Sequence, residues 1–212
     1  MERTDTRLSI FPLAGALLFP RGQLPLHIFE PRYRALVSDA LARDRRIAMI
    51  QPRETEQAGG QRPALFEVGC IGRIADVEAL DDGRFNIVLE GLARFRLVRE
   101  IDVATPFRQI EASVAGFEDG EQPALPMIRR ADLERESRRF AEARGYLVDW
   151  GAVGRLDDEA LVNGIAQIAP FDAAVKQALL ESQTLAERAE LLVQFMQFFG
   201  RHDEDGDAGT LQ

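Results

Sequence analysis

In the first half of the chain apolar residues tend to alternate with polar ones, and in the second half they recur every third or fourth position. The first period marks strands with one buried face, and the second marks helices. Residues 7–13, 16–19 and 24–28 are short β-type runs broken by Gly and Pro. A helix follows. Pro31 suits its first position, where a missing N–H costs nothing, and Glu30 places a negative charge at the positive end of the dipole. Tyr33, Leu36, Val37, Ala40 and Leu41 then fall at helical spacing. Residues 46–50 predict another strand, while residues 52–63 have no apolar pattern and predict a long exposed loop. Runs 68–80 and 84–90 flank Asp81-Asp82-Gly83, a hairpin turn signal. Residues 93–98 predict a further strand and residues 107–115 the last one. Many short strands with glycine turns and one helix predict a small barrel, closed or nearly so.

Residues 116–126 (GFEDGEQPALP) read as a linker, and beyond them the pattern is helical. Helices are predicted over 127–145, over 157–168 with a stop at Pro170, and over 172–182. Thr184 begins a fourth, with Glu187 as its capping-box partner. Its stripe of Leu185, Ala189, Leu192, Val193, Met196 and Phe199 is expected to be core. The fold class is therefore α+β. A β-rich lobe spans 1–118, a helical bundle lobe 119–202, and an acidic tail expected to be disordered 203–212.

Charge sharpens this division. Residues 1–115 hold 16 arginines and 16 acids, whereas residues 116–212 hold 10 basic residues against 19 acids and carry the whole net charge of −9. Nucleic-acid binding generally needs a net basic surface, so this balance disfavours it.

Missing chemistry narrows the function. Lys176 is the single lysine among 26 basic residues, and it sits in a helical pattern with no glycine-rich turn before it. That leaves no phosphate-cradling loop and no Ser–Lys pair. Two histidines, His27 and His202, and one cysteine cannot build a zinc site without several carboxylates. Asp81-Asp82 reads as a turn and Asp157-Asp158 as a helix start. No catalytic residue, metal or cofactor is expected, and the chain reads as a binding protein, not an enzyme. Cys70, between Gly69 and Ile71, reads as a small core residue, and a lone cysteine fits a cytoplasmic address. Residues 8–19 are interrupted by Pro12 and Gly15, so neither a signal peptide nor a membrane span is expected.

Three sets of strings carry a resemblance. The first runs from Phe11-Pro12-Leu13 through Leu17-Leu18-Phe19-Pro20-Arg21-Gly22 to Phe29-Glu30-Pro31-Arg32-Tyr33. The second comprises Val68-Gly69-Cys70-Ile71-Gly72, Asp82-Gly83-Arg84-Phe85 and Glu90-Gly91-Leu92-Ala93-Arg94-Phe95. The third covers 161–170, then Lys176-Gln177-Ala178-Leu179-Leu180-Glu181 and Leu185-Ala186-Glu187-Arg188. Over residues 8–200 the chain resembles the N-terminal substrate-binding domain of the ATP-dependent protease Lon. The resemblance implies a PUA-like pseudo-barrel lobe followed by a helical lobe. In that family an ATPase module and a Ser–Lys protease follow, and this sequence ends about where they would begin. It therefore implies recognition without proteolysis. The implied partners are unfolded or partly folded proteins, with a Lon-type protease as a further candidate.

Candidate peptide-binding residues are Glu30, Pro31 and Arg32 at a helix start, with Phe107, Phe117, Met127 and Trp150 as exposed apolar candidates. They are expected around a groove between the lobes near the linker. The alternative is an RNA-binding module, because PUA-like lobes are also used on RNA. Arg94 and Arg96 share a strand face, and Arg43, Arg45 and Arg46 cluster. A third reading is a hydrolase using carboxylates alone.

Overall fold

The computed structural model describes residues 5–53, 62–117 and 119–207. Most of the loop expected over 52–63 lies outside the described residues, as does the end of the tail. The chain divides into two compact units. One comprises Met1–Asp119 and Phe171–Glu181, and the other Gly120–Pro170 and Ser182–Gln212.

The first unit holds six strands: β1 (Asp5–Pro12), β2 (Gln23–Ile28), β3 (Arg46–Ile50), β4 (Val68–Ala79), β5 (Phe85–Ile101) and β6 (Gln109–Ser113). Their order is β2-β5-β4-β3-β1-β6, and β5 also pairs with β6, which closes a barrel. Only β1 and β3 run parallel among these pairs. Closure leaves β2 as an attached strand, and its Pro25 suits an edge because proline cannot donate to a further ladder.

The two strands expected at 84–90 and 93–98 are one continuous 17-residue strand. Gly91 makes this possible. A Cβ there would lie 1.9 Å from the Phe19 carbonyl oxygen, so only glycine lets residues 17–22 cross β5 so closely. Arg21 N–H donates to the Gly91 carbonyl at 2.8 Å, and Gly91 N–H donates to that of Gly22 at 2.9 Å. Residues 16–19 are accordingly not a strand. They are irregular, with Leu17, Leu18 and Phe19 buried.

Helix α1 (Pro31–Leu41) buries Tyr33, Leu36, Val37 and Ala40 against a core that includes Ile28, Met49, Cys70 and Leu89. Cys70 is thus a core residue, as expected. Phe107 belongs to the same core at 5% exposure, so it presents no exposed apolar face.

The second unit holds α2 (Met127–Ala143), the short α3 (Trp150–Val153), α4 (Asp158–Ile168) and α6 (Leu185–Asp207). Its helix starts follow local chemistry. Asp157 caps α4 by accepting from Ala160 N–H at 2.7 Å. Thr184 and Glu187 form the expected capping box at the start of α6, with both bonds at 3.2 Å. Leu185, Ala189, Leu192 and Met196 of the apolar stripe are buried, while its Val193 and Phe199 are half-buried. α6 reaches Asp207, past the point where the sequence pattern starts the tail.

The remaining helix, α5 (Ala173–Glu181), belongs to the β unit and not to the helical one. A buried polar network holds it there. Gln51 donates to the Gln177 side chain and to the Ala173 carbonyl, both at 3.1 Å. Gln177 donates to the Val68 carbonyl of β4 at 3.0 Å. Lys176 donates to the Gly15 carbonyl at 2.8 Å, and burial lowers its pKa. Arg94, 2% exposed, donates to the Leu180 carbonyl at 3.0 Å and to Asp119 at 2.7 Å. The chain's single lysine therefore serves as an anchor between elements.

Candidate functional site

Gly145 ends α2 in the left-handed conformation at φ 68°, where a side chain would be strained. Tyr146 N–H closes the end by donating to Ala141 carbonyl at 2.9 Å. The chain then runs through α3, whose start Asp149 caps by accepting from Ala152 N–H at 2.9 Å. This connection and α4 wall an open groove of about 680 Å³. Tyr146, Leu147, Val148, Trp150, Val153 and Leu156 come from the connection. Leu161, Gly164, Ile165 and Ile168 come from α4, with Phe140 of α2 and Met196 of α6. The volume lies within the range of about 300–1,000 Å³ typical of ligand sites.

The lining contains no charged residue. Leu147 is fully exposed, Ile168 is 82% exposed, Tyr146 49% and Leu156 41%. Contiguous exposed apolar side chains of this kind mark interaction surfaces, because isolated exposed ones are ordinary and clustered ones are not. Trp150 is half-buried, and the Arg138 guanidinium lies 4.6 Å from its ring centre.

An ion-pair cluster braces the start of α4. Arg130 donates to Asp158 at 2.6 Å and to Glu134 at 2.9 Å. Leu125 N–H donates to the other Asp158 oxygen at 2.7 Å. Burial alone would raise the Asp158 pKa. The hydrogen bonds from Arg130 and Leu125, with the charge of Arg130, outweigh it and hold the carboxyl below its ordinary value.

The other sequence candidates lie elsewhere. In the β unit, Arg32 and Phe107 meet in a pocket of about 440 Å³ with Tyr33, Arg62 and Arg108. Its charges are partly answered in place. Arg32 pairs with Glu30 at 2.9 Å, and Arg108 pairs with Glu100. The Tyr33 hydroxyl donates to the Pro12 carbonyl at 3.2 Å, and burial raises its pKa. Pro31 is the exposed first residue of α1. Phe117 is half-buried, with Arg94 and Arg96 over its ring. Met127 is 90% exposed at the start of α2 but does not line the groove. Of the seven candidates, only Trp150 lies in the groove.

Tyr146, Leu147, Leu156, Ile165 and Ile168 line the groove with Trp150 and were not among the sequence candidates. A signal existed: residues 160–168 are apolar on more than one helical face. Val162 and Ala166 are buried in the unit's core, while Ile165 and Ile168 face the groove.

The arginines that suggested RNA are engaged. Arg94 is buried, Arg96 pairs with Glu67 at 3.5 Å, Arg43 with Asp39 at 2.9 Å and Arg46 with Asp44 at 2.6 Å. Among the described residues, no group of His, Cys, Asp and Glu side chains is placed to hold a metal ion. No helix among them is long and apolar enough to cross a membrane.

Known proteins place this arrangement. The chain is 32% identical over 199 residues to Lon protease 2 of Myxococcus xanthus, covering 89% of this chain and 23% of the relative. It is 25% identical over 206 residues to Lon protease of Escherichia coli K12, covering 92% of this chain and 25% of that protein. The chain thus spans about a quarter of the length of these curated relatives. Its fold matches the crystal structure of a Lon N-terminal domain protein from Xanthomonas campestris, with TM-score 0.65 and 22% identity over 90% of this chain and 99% of that one. It also matches the N-terminal domain of a Mycobacterium avium complex Lon protease, with TM-score 0.64 and 18% identity over 91% and 98% of the two chains. The family model described as the ATP-dependent protease La (LON) substrate-binding domain matches residues 7–197, so the chain belongs to that family.

Proposed function

We propose that this chain is a non-catalytic recognition module that holds exposed apolar segments of other polypeptides in the groove of its helical unit. The observation that carries this reading is the uncharged groove ringed by Tyr146, Leu147, Leu156 and Ile168, in a member of a substrate-binding family. A groove without charges disfavours charged ligands, because a buried unpaired charge is costly. It favours aliphatic and aromatic side chains, each of which gains by leaving water.

Unfolded or partly folded proteins supply such segments, and a Lon-type protease is the natural partner to receive them. The cytoplasm, where lone cysteines such as the buried Cys70 stay reduced, is the compartment we favour. The ATP hydrolysis and peptide cleavage of the longer relatives are not assigned to this chain.

The test is fluorescence anisotropy with a labelled unfolded protein and a labelled single-stranded RNA, each across a salt series. Binding to the unfolded protein should change little with salt, because apolar burial does not depend on counterion release. Tighter binding to RNA, with a steep negative salt slope, would replace this reading with the RNA-binding one.

A further inference from the structure

The groove also constrains the backbone conformation of what enters it. An extended peptide brings N–H and C=O groups that need partners, normally a sheet edge or a row of polar side chains. This groove offers few. Three of its side chains, Ser137, Tyr146 and Trp150, can donate a hydrogen bond. The Ser137 hydroxyl already donates to the Leu133 carbonyl at 2.7 Å. Ser137, Leu161, Gly164 and Ile165 sit within helices, whose interior backbone groups bond along the helix itself, and only Ile168 stands at a helix end. An extended chain lying along the α4 side would find few partners for its inward backbone groups, whereas a helix satisfies its own.

The floor has the relief that a helix needs. Leu161, Gly164, Ile165 and Ile168 follow the i, i+3, i+4, i+7 stripe of α4. Gly164 lies at the centre of this stripe, and a Cβ built there meets nothing within 4 Å. Its surface is a notch into which an apolar side chain of a second helix can pack. From this polar deficit and this notch we infer that the occupant is an amphipathic helical segment with an uncharged apolar face. The inference rests on the groove being the recognition site and adds the conformation of what it recognises.

Trp150, the chain's single tryptophan, lines the groove and reports directly on occupancy. The experiment titrates the whole protein with two labelled peptides of about 18 residues, long enough to be helical. One carries leucines at i, i+3, i+4 and i+7 with Glu and Lys on its other face. The second is identical except for a central proline, which breaks a helix but not an extended strand. The helical peptide should bind and shift Trp150 emission, and the proline peptide should bind at least about tenfold more weakly. Gly164→Leu fills the notch, and Ile168→Asp charges the rim. Each should weaken helical-peptide binding at least about tenfold while the protein stays folded by circular dichroism.

Equal binding of both peptides would overturn the inference and leave the recognition reading standing. So would undiminished binding by both variants. Self-association abolished by the same two substitutions would make the occupant a second copy, and would also overturn it. Failure of either peptide and of unfolded protein to bind would overturn both readings.

Discussion

The β unit and the helical unit differ in how they cover apolar surface. In the β unit the strands close on themselves, and Ile10, Ile47, Leu89 and Phe95 are inaccessible to water. Its exposed apolar residues include Phe29 and Val98. In the helical unit Tyr146, Leu147, Leu156 and Ile168 are uncovered around one uncharged groove. A closed barrel gives each inward residue a neighbour by construction. Helices joined by an irregular connection need not, and here α4 buries Leu161 but leaves Ile168 uncovered at the groove. Polar anchors and a closed core hold the β unit together, and the helical unit's uncovered face is the one we propose for recognition.

Substitutions can break this comparison at several strengths. The largest effect is expected from Met196→Asp. Met196 is 3% exposed, and an unpaired buried charge costs on the order of 3–5 kcal/mol, enough to unfold the helical unit. Urea unfolding followed by Trp150 emission measures it. Next comes Arg94→Met, which takes the guanidinium from Asp119, leaving it the backbone N–H of residue 94, and removes the Arg94 bond to the Leu180 carbonyl. The expected loss is about 3 kcal/mol in the β unit. Hydrogen exchange should localise it to β4, β5 and α5, with α2 and α6 little affected.

Leu147→Ser should move stability by no more than about 0.5 kcal/mol, because Leu147 is fully exposed. It should still weaken polypeptide binding measurably in an anisotropy titration. The reverse, lost stability with intact binding, would make the groove wall structural.

Acid should produce the smallest effect. The folded Asp158 carboxyl titrates below its ordinary value, so the unfolded state takes up protons first as pH falls. Its contribution is present above about pH 4 and is lost as pH falls through the depressed folded value. Asp158→Asn should flatten the acid limb of helical-unit stability, measured by thermal unfolding between neutral and acidic pH.

Local chemistry was legible in the sequence where the deciding atoms are close in the chain. The Thr184–Glu187 capping box and the Asp157 cap lie within one turn of the helices they start. The buried stripe of α6 and the core position of Cys70 followed from periodicity and residue type. Distant contacts were not legible. α5 has an ordinary helical pattern, yet its unit is decided by Gln51, which meets Gln177 across 126 positions. Residues 16–19 look like a strand until Gly91 brings β5 against the backbone at Phe19. The groove was half legible: the apolar width of α4 showed in the sequence, but not which of its residues stay uncovered. Phe107 and Trp150 read alike as aromatic candidates, and burial separated them.

The most direct test of the account is hydrogen exchange on the whole protein, with and without a bound unfolded polypeptide. The account predicts slowed exchange confined to residues 145–168, with α1 and the barrel strands unchanged. Protection centred on Glu30, Pro31 and Arg32 at the start of α1, with residues 145–168 unaffected, would contradict it.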